Sequence, residues 1–291
     1  MYFSCYYIEI IIYLKDIVMR VLSFDVGIKN MAYCLIDYTD DTGAISIKDW
    51  EIIDTSKIPT CLLCKKSSKT FVYKNGEKNP ENCDYFCAAH TKNYASKHYV
   101  KRGELKKIDD CNKLDLEYIT TNLYEYLETR SYLWTDIDYV VIENQPVFKH
   151  PKMKSVQIIL YSYFLQKKIN SKTNILNIKL YNAKKKLEIG GIIDDTSEYD
   201  KSEYKDRKAL SKVICVGILK KLEDYQNLQH MDTYAKKDDL ADCLIQGIET
   251  IQTVKKCPNL FIKINSKINS KINSEINSNL TTEIITETSK N

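Results

Sequence analysis

Two apolar runs in this chain stop on a carboxylate, and that pattern narrows its fold more than any other. Val21–Phe24 ends at Asp25 in Ser-Phe-Asp-Val-Gly, and Tyr139–Ile142 ends at Glu143 in Val-Val-Ile-Glu-Asn-Gln. Short unbroken apolar runs are typical of strands covered on both faces, so each acid lies where a core gives way to an open sheet edge. Ala32–Asp37 reads as a second strand, joined to the first by the tight turn Val26-Gly27-Ile28-Lys29-Asn30, and Ile45–Ile53 as the third strand of an antiparallel meander. Helical spacing over Leu114–Leu133, Ser155–Lys168, Arg207–Leu222 and Asp238–Ile251 then alternates with strands at Tyr139–Ile142 and Ile175–Tyr181. Strands first, then strand–helix alternation, is the order of an α/β or α+β chain.

A third acidic group opens the last of those helices, in Lys-Lys-Asp238-Asp239-Leu-Ala-Asp242. Asp239 and Asp242 share one helical face, as do Asp238 and Asp242. An acid at a helix start often does no more than cap it and answer its dipole, and that reading suits Asp238. It does not account for Asp25 or Glu143 at strand ends.

The folded part is shorter than the 291 residues. Residues 1–18 are apolar but interrupted by Glu9, Lys15 and Asp16, and they fall short of the roughly 20 apolar residues of a membrane span. They lack the basic start and small-residue cleavage site of a signal peptide, and are expected to be an N-terminal extension. From Lys263 to Ser278 the chain repeats KINS three times and then EINS, a pattern that cannot build a packed core. The expected division is an extension over 1–18, a domain over 19–258 and a low-complexity tail over 259–291.

Ten cysteines in a chain this long, with no secretory leader, argue against a disulfide framework. Four positions have a more specific spacing. Cys61-Leu-Leu-Cys64 and Cys87-Ala-Ala-His90 are two knuckles about two dozen residues apart, the ligand set of a closed tetrahedral zinc site. Asn75-Gly76 in the spacer is a preferred hairpin turn. The expectation is a structural zinc-ribbon-like hairpin inserted at about 58–102, with Cys83 as an alternative ligand. Its rim carries Lys65, Lys66, Lys69, Lys92, Lys97, Lys101 and Arg102.

The net charge of +4 hides an uneven distribution. Between Asn144 and Leu187 there are ten lysines and no acid, directly after Glu143. Lysines that neutralise phosphates release counterions, so a nucleic-acid backbone is the expected partner of this stretch. The candidates are Lys149, Lys152, Lys154, Lys184, Lys185 and Lys186, together with Lys29 in the first turn. Tyr161, Tyr163 and Phe164 interleave at helical spacing and are expected in the core or an interface.

Carboxylates gathered at one edge repel unless cations neutralise them, and Mg²⁺ binds through carboxylates and substrate phosphate oxygens. Two such ions can activate water and stabilise the leaving oxygen of a phosphodiester. The segments Phe24-Asp-Val-Gly-Ile-Lys-Asn30, Ile142-Glu-Asn-Gln-Pro146 with Lys152-Met-Lys-Ser155, and Lys237-Asp-Asp-Leu-Ala-Asp242 together resemble the Holliday-junction resolvases of poxviruses and other large DNA viruses. Those are relatives of RuvC and of mitochondrial resolvases in the RNase H-like superfamily. The resemblance implies a five-stranded mixed sheet flanked by helices and a homodimer that makes paired incisions in branched, four-way DNA. It implies two Mg²⁺ per active site, replaceable by Mn²⁺, held by Asp25, Glu143, Asp239 and Asp242. It also implies an assisting basic residue, best matched by Lys208 with Arg207 and Lys212 as neighbours. The zinc insertion departs from the shorter poxvirus members. The implied setting is intracellular and away from membranes: a viral replication site in host cytoplasm or nucleus, or the virion.

Three other readings compete. An RNase H-like nuclease with a zinc ribbon could serve RNA-guided or transposon chemistry. Asp-x-Gly after a first strand also begins sugar and acetate kinases, but eight glycines in the whole chain make further phosphate loops scarce. A non-catalytic zinc-containing DNA-binding protein would use the ribbon and the lysines alone.

Overall fold

The computed structural model describes residues 18–74, 82–95, 105–148, 150–170, 174–182, 204–257 and 260. β1 (Val18–Asp25), β2 (Met31–Thr39) and β3 (Ile45–Ile53) form the expected meander. β4 (Thr70–Tyr73), β5 (Cys83–Phe86) and β6 (Lys106–Lys107) form a separate small sheet. The chain then returns through α1 (Leu116–Thr129), β7 (Tyr139–Glu143), α2 (Pro151–Ile169) and β8 (Asn177–Tyr181). It ends in α3 (Tyr204–Lys221), α4 (Tyr225–Asp232) and α5 (Lys237–Val254).

The main sheet has the order β3-β2-β1-β7-β8. It is antiparallel from β1 through β2 to β3 and parallel from β1 through β7 to β8. Alternation along β1 and β2 splits the buried side chains between two cores. Val21, Ala32, Cys34 and Ile36 face α3 and α5, whereas Leu22, Phe24, Met31, Tyr33 and Leu35 face α1 and α2. This is why the strands read as unbroken apolar runs: both faces are covered. The result is the expected five-stranded mixed sheet between two helical layers.

The apolar alternation placed β3 over the observed range, and the other strands and long helices within a few residues. It missed α4, whose single buried side chain is Met231. Leu260, two residues past the expected boundary at 258, is buried in the core. Tyr163 and Phe164 are core residues and Tyr161 is partly buried against them. Extension residues 1–17 and tail residues 261–291 lie outside the described residues.

The insertion leaves the main sheet after β3 and re-enters before α1. β4 pairs with β5 as an antiparallel hairpin, although Asn75-Gly76 lies outside the described residues. β6 pairs with β4 beyond residue 102, so the inserted unit reaches Lys107. Among the described residues no helix is long and apolar enough to cross a membrane.

Candidate active site and zinc centre

Neighbouring strands bring the first two acids together. β1 and β7 are parallel, with Phe24 opposite Ile142, so the strands finish side by side on Asp25 and Glu143. Asp25 is buried to 9% exposure. Immediately after it the chain turns back so tightly that a Cβ on Gly27 would lie 2.7 Å from the carbonyl oxygen of Asn30. Only a residue without a side chain allows that closure. The loop after Glu143 is tied to α2: the Gln145 backbone N–H donates to Gln157 Oε1 at 2.7 Å, and Gln145 Nε2 donates to Glu143 Oε2 at 2.9 Å.

The third group arrives on α5. Gln246, fully buried, donates from Nε2 to the carbonyls of Phe24 (3.2 Å) and Val141 (3.1 Å), pinning the helix across the two acid-bearing strands. One residue on, a Cβ on Gly247 would approach Ile36 Cδ1 to 2.5 Å, so this glycine lets α5 lie close on the sheet. Neither Gln246 nor Gly247 was singled out from the sequence. An amide and a glycine inside an apolar helix were the signal available.

The start of α5 therefore sits over the end of β1. Burial, then the charges of Asp25 and Asp238, push the Asp239 carboxyl up to about 7. Asp239 thus feels Asp25 directly and tends to hold a proton near neutral pH when no cation is bound. Burial would raise Asp238 too, but the Lys208 ammonium that donates to it holds it below the usual carboxylate range. Asp238 is not the helix cap. Lys236 occupies that position and Asp238 lies in the first turn. Asp242 accepts from Ser211 Oγ of α3 at 2.5 Å, and its charge helps raise the buried Cys215 thiol, with burial the larger cause. The four acids are oxygen-only ligands, which suits a hard divalent cation.

The lysines are more committed than their count suggested. Lys152 donates to the carbonyls of Asn112 and Leu114, at 2.5 and 2.6 Å, and so fastens α2 to the loop before α1. Lys154 donates to Asn144 Oδ1 and Gln157 Oε1, at 2.9 and 3.1 Å, and so braces the loop after Glu143. Lys167 pairs with Glu128, and Lys179 lies over the Tyr139 ring. Lys29 donates to Ser67 of the insertion. Lys149 and Lys184–Lys186 lie outside the described residues.

The insertion brings Cys61, Cys64, Cys87 and His90 together, with all four ligand atoms within 4.8 Å of one another. Cys61 Sγ and Cys87 Sγ lie 3.4 and 3.6 Å from His90 Nδ1, and the sulfurs of Cys64 and Cys87 are 3.6 Å apart. Ligands on a tetrahedral zinc with bonds of roughly 2.0–2.3 Å stand about 3.4–3.8 Å apart, so the quartet fits that ion. Burial raises the Cys61 thiol, but backbone N–H groups of Cys87 and Leu63 outweigh it and lower the group to about 6, favouring the thiolate that zinc requires. The first knuckle closes through Lys65 N to Cys61 O (3.0 Å) and Cys61 N to Lys66 O (2.7 Å), with Lys65 at a positive φ of 59°. Cys83 is outside the quartet and lies against Tyr85.

Residues 21–147 match the family model described as the catalytic domain of mitochondrial resolvase Ydc2 / RNA splicing MRS1. The match includes Asp25, Glu143 and the whole insertion, and ends before the acids of α5. An uncharacterized protein of Acanthamoeba polyphaga mimivirus is 26% identical over 79% of this chain and 74% of its own length. The chain is also similar to the fowlpox virus resolvase solved with its substrate Holliday junction DNA, at 17% identity, covering 81% of this chain and 99% of that one, with a TM-score of 0.43. For the yeast mitochondrial Holliday junction resolvase Ydc2 the identity is 14%, the coverage 86% and 84%, and the TM-score 0.42.

Proposed function

We propose that this chain is a resolvase: a Mg²⁺-dependent, structure-selective endodeoxyribonuclease that resolves four-way DNA junctions by paired incisions during viral DNA recombination. The observation that carries the reading is the charge conflict at the sheet edge. Burial, and then the charges of Asp25 and Asp238, push Asp239 up to about 7, a cost that a divalent cation would relieve. Asp25, Glu143, Asp239 and Asp242 would hold the metal. Bound Mg²⁺ supplies an acidified water and a charge that stabilises the leaving oxygen. The protein's own contribution is to fix the four carboxylates on three elements locked by Gln246, and to hold Lys208 beside Asp238, where negative charge on a scissile phosphate would build. Phe148, 99% exposed just beyond the Glu143 loop, offers a ring on which an unpaired base can stack.

Two incisions call for two sites, and a two-fold homodimer would match the symmetry of a four-way junction. The exposed Ile158, Leu165 and Ile169 on α2 are the apolar surface that a second copy would bury. Sedimentation of the wild type against a variant with all three changed to Ser tests this.

The deciding experiment is cleavage of a labelled four-way junction in Mg²⁺ against EDTA, by wild type and Asp25→Asn. Cleavage should fall at least about a hundredfold in the variant while junction binding persists. A variant that still nicks the junction overturns the active site. The matching family description names RNA splicing beside the resolvase, and one second reading is nucleic-acid binding without cleavage. Wild-type protein that binds the junction but cuts nothing under Mg²⁺ or Mn²⁺ would establish it.

A further inference from the structure

The turn that follows Asp25 and the zinc-ligand loop are far apart in sequence but touch through one pair of side chains. Lys29 leaves the turn and its ammonium donates to the hydroxyl of Ser67. Ser67 belongs to the first knuckle: it bridges Thr60, and the intervening segment Cys61–Lys66 is the loop that presents Cys61 and Cys64. A second tie runs beside the first. The carbonyl of Ile28 accepts from both the backbone N–H (3.0 Å) and the hydroxyl (2.6 Å) of Thr55, at the root of the insertion. Thr55 is buried, and its own carbonyl accepts from Asn122 of α1. The position of Lys29 is therefore set from two sides, by the root of the insertion and by its metal-binding loop.

We propose that Ser67 is a positioning residue that holds the Lys29 ammonium beside the carboxylate edge for a DNA phosphate, so that zinc loading of the knuckle controls DNA engagement at that edge. The DNA part of this rests on the junction-resolving reading above. The Lys29–Ser67 coupling itself does not. Zinc closes the Cys61–Lys66 loop, the closed loop fixes Ser67, and Ser67 fixes a cation four residues beyond Asp25. The dependence is reciprocal by linkage: a phosphate drawn to Lys29 strengthens the arrangement that keeps zinc in place.

The test uses full-length, zinc-loaded protein and two readouts. One is affinity for a labelled four-way junction in Ca²⁺, which permits binding without cutting; the other is the rate of zinc transfer to a colorimetric chelator. Ser67→Ala and Lys29→Ala should each weaken junction binding about tenfold, as expected for losing a hydrogen bond to a charged group. Ser67→Thr should restore most of that loss, and the double variant should be no weaker than Lys29→Ala alone. Lys29→Ala should also release zinc faster, and the junction should slow zinc release in the wild type but not in Ser67→Ala. Additive losses in the double variant, or wild-type affinity in Ser67→Ala, overturn the proposal. If the wild type fails to bind the junction, the junction-resolving reading has failed, and zinc release alone then decides: an unchanged rate in Lys29→Ala overturns the coupling as well.

Discussion

Two sets of side chains, a Cys/His quartet grouped like a zinc site and the acids proposed to hold Mg²⁺, are built on opposite plans. The Cys61/Cys64/Cys87/His90 quartet comes from two tight loops within one small insertion, and its ligand atoms already stand at zinc-like separations. The carboxylate edge is assembled from β1, β7 and α5, drawn from residues 25 to 242, and depends on how one helix seats on two strands. A local cluster needs only its own turns; a long-range cluster needs the whole domain. The first should therefore fail by losing metal, and the second by losing alignment.

The largest expected effect separates the two clusters. Cys61→Ser should abolish zinc binding, which supplies on the order of 10 kcal/mol to small zinc folds. Hydrogen exchange should then rise across β4–β6 while the five-stranded sheet keeps its protection. Unfolding of both together would show that the insertion is not a separate unit.

Next in size is the pH response of the carboxylate edge. Asp239 is pushed up to about 7 in the folded, metal-free protein, against an ordinary value of 3.8. Between these values the native state binds more protons than the unfolded chain, so this group makes stability fall as pH rises from about 4 to 7. The loss is at most about 4 kcal/mol. Asp239→Asn should remove that slope in urea melts in EDTA, and Mg²⁺ should flatten it in the wild type. An unchanged slope in the variant would place the carboxyl in a less crowded setting.

Two smaller changes test the seating of α5. Gly247→Val puts atoms where Ile36 Cδ1 already stands and should cost about 1–3 kcal/mol, with cleavage lost and zinc content kept. Gln246→Leu removes the two bonds to Phe24 and Val141 and should cost about 1 kcal/mol, again with a greater loss of cleavage than of stability. Equal loss of zinc in either variant would erase the distinction between the clusters.

The same contrast explains what the sequence made legible. Knuckle spacing is a local property, so Cys61, Cys64, Cys87 and His90 could be read as a set, and Cys83 became dispensable only once β5 turned it toward Tyr85. Strand ends are equally local, which exposed Asp25 and Glu143. What keeps Asp25 beside Asp239 is not local. Gln246 looks like any helical glutamine until its amide meets two strand carbonyls more than a hundred residues away. Lysine counting meets the same limit: charge density is readable, but that Lys152 meets two carbonyls depends on a loop 38–40 residues earlier. α4 escaped notice because it buries a single side chain, too little for a periodic signal.

The order of the main sheet has a consequence for how the protein avoids sticking to itself. An open sheet ends in two rims, β3 and β8 among the described residues, and each such rim carries a row of backbone groups that a passing strand can pair with. β3 follows a partner whose register slips between Leu35 and Ile36, and carries Lys48 and Asp49 in its middle; β8 is five residues long with Lys179 at its centre. Irregularity, brevity and central charges all discourage edge-to-edge growth, so neutralising Lys48 and Lys179 together should show up first as turbidity on storage, before any change in folding or catalysis.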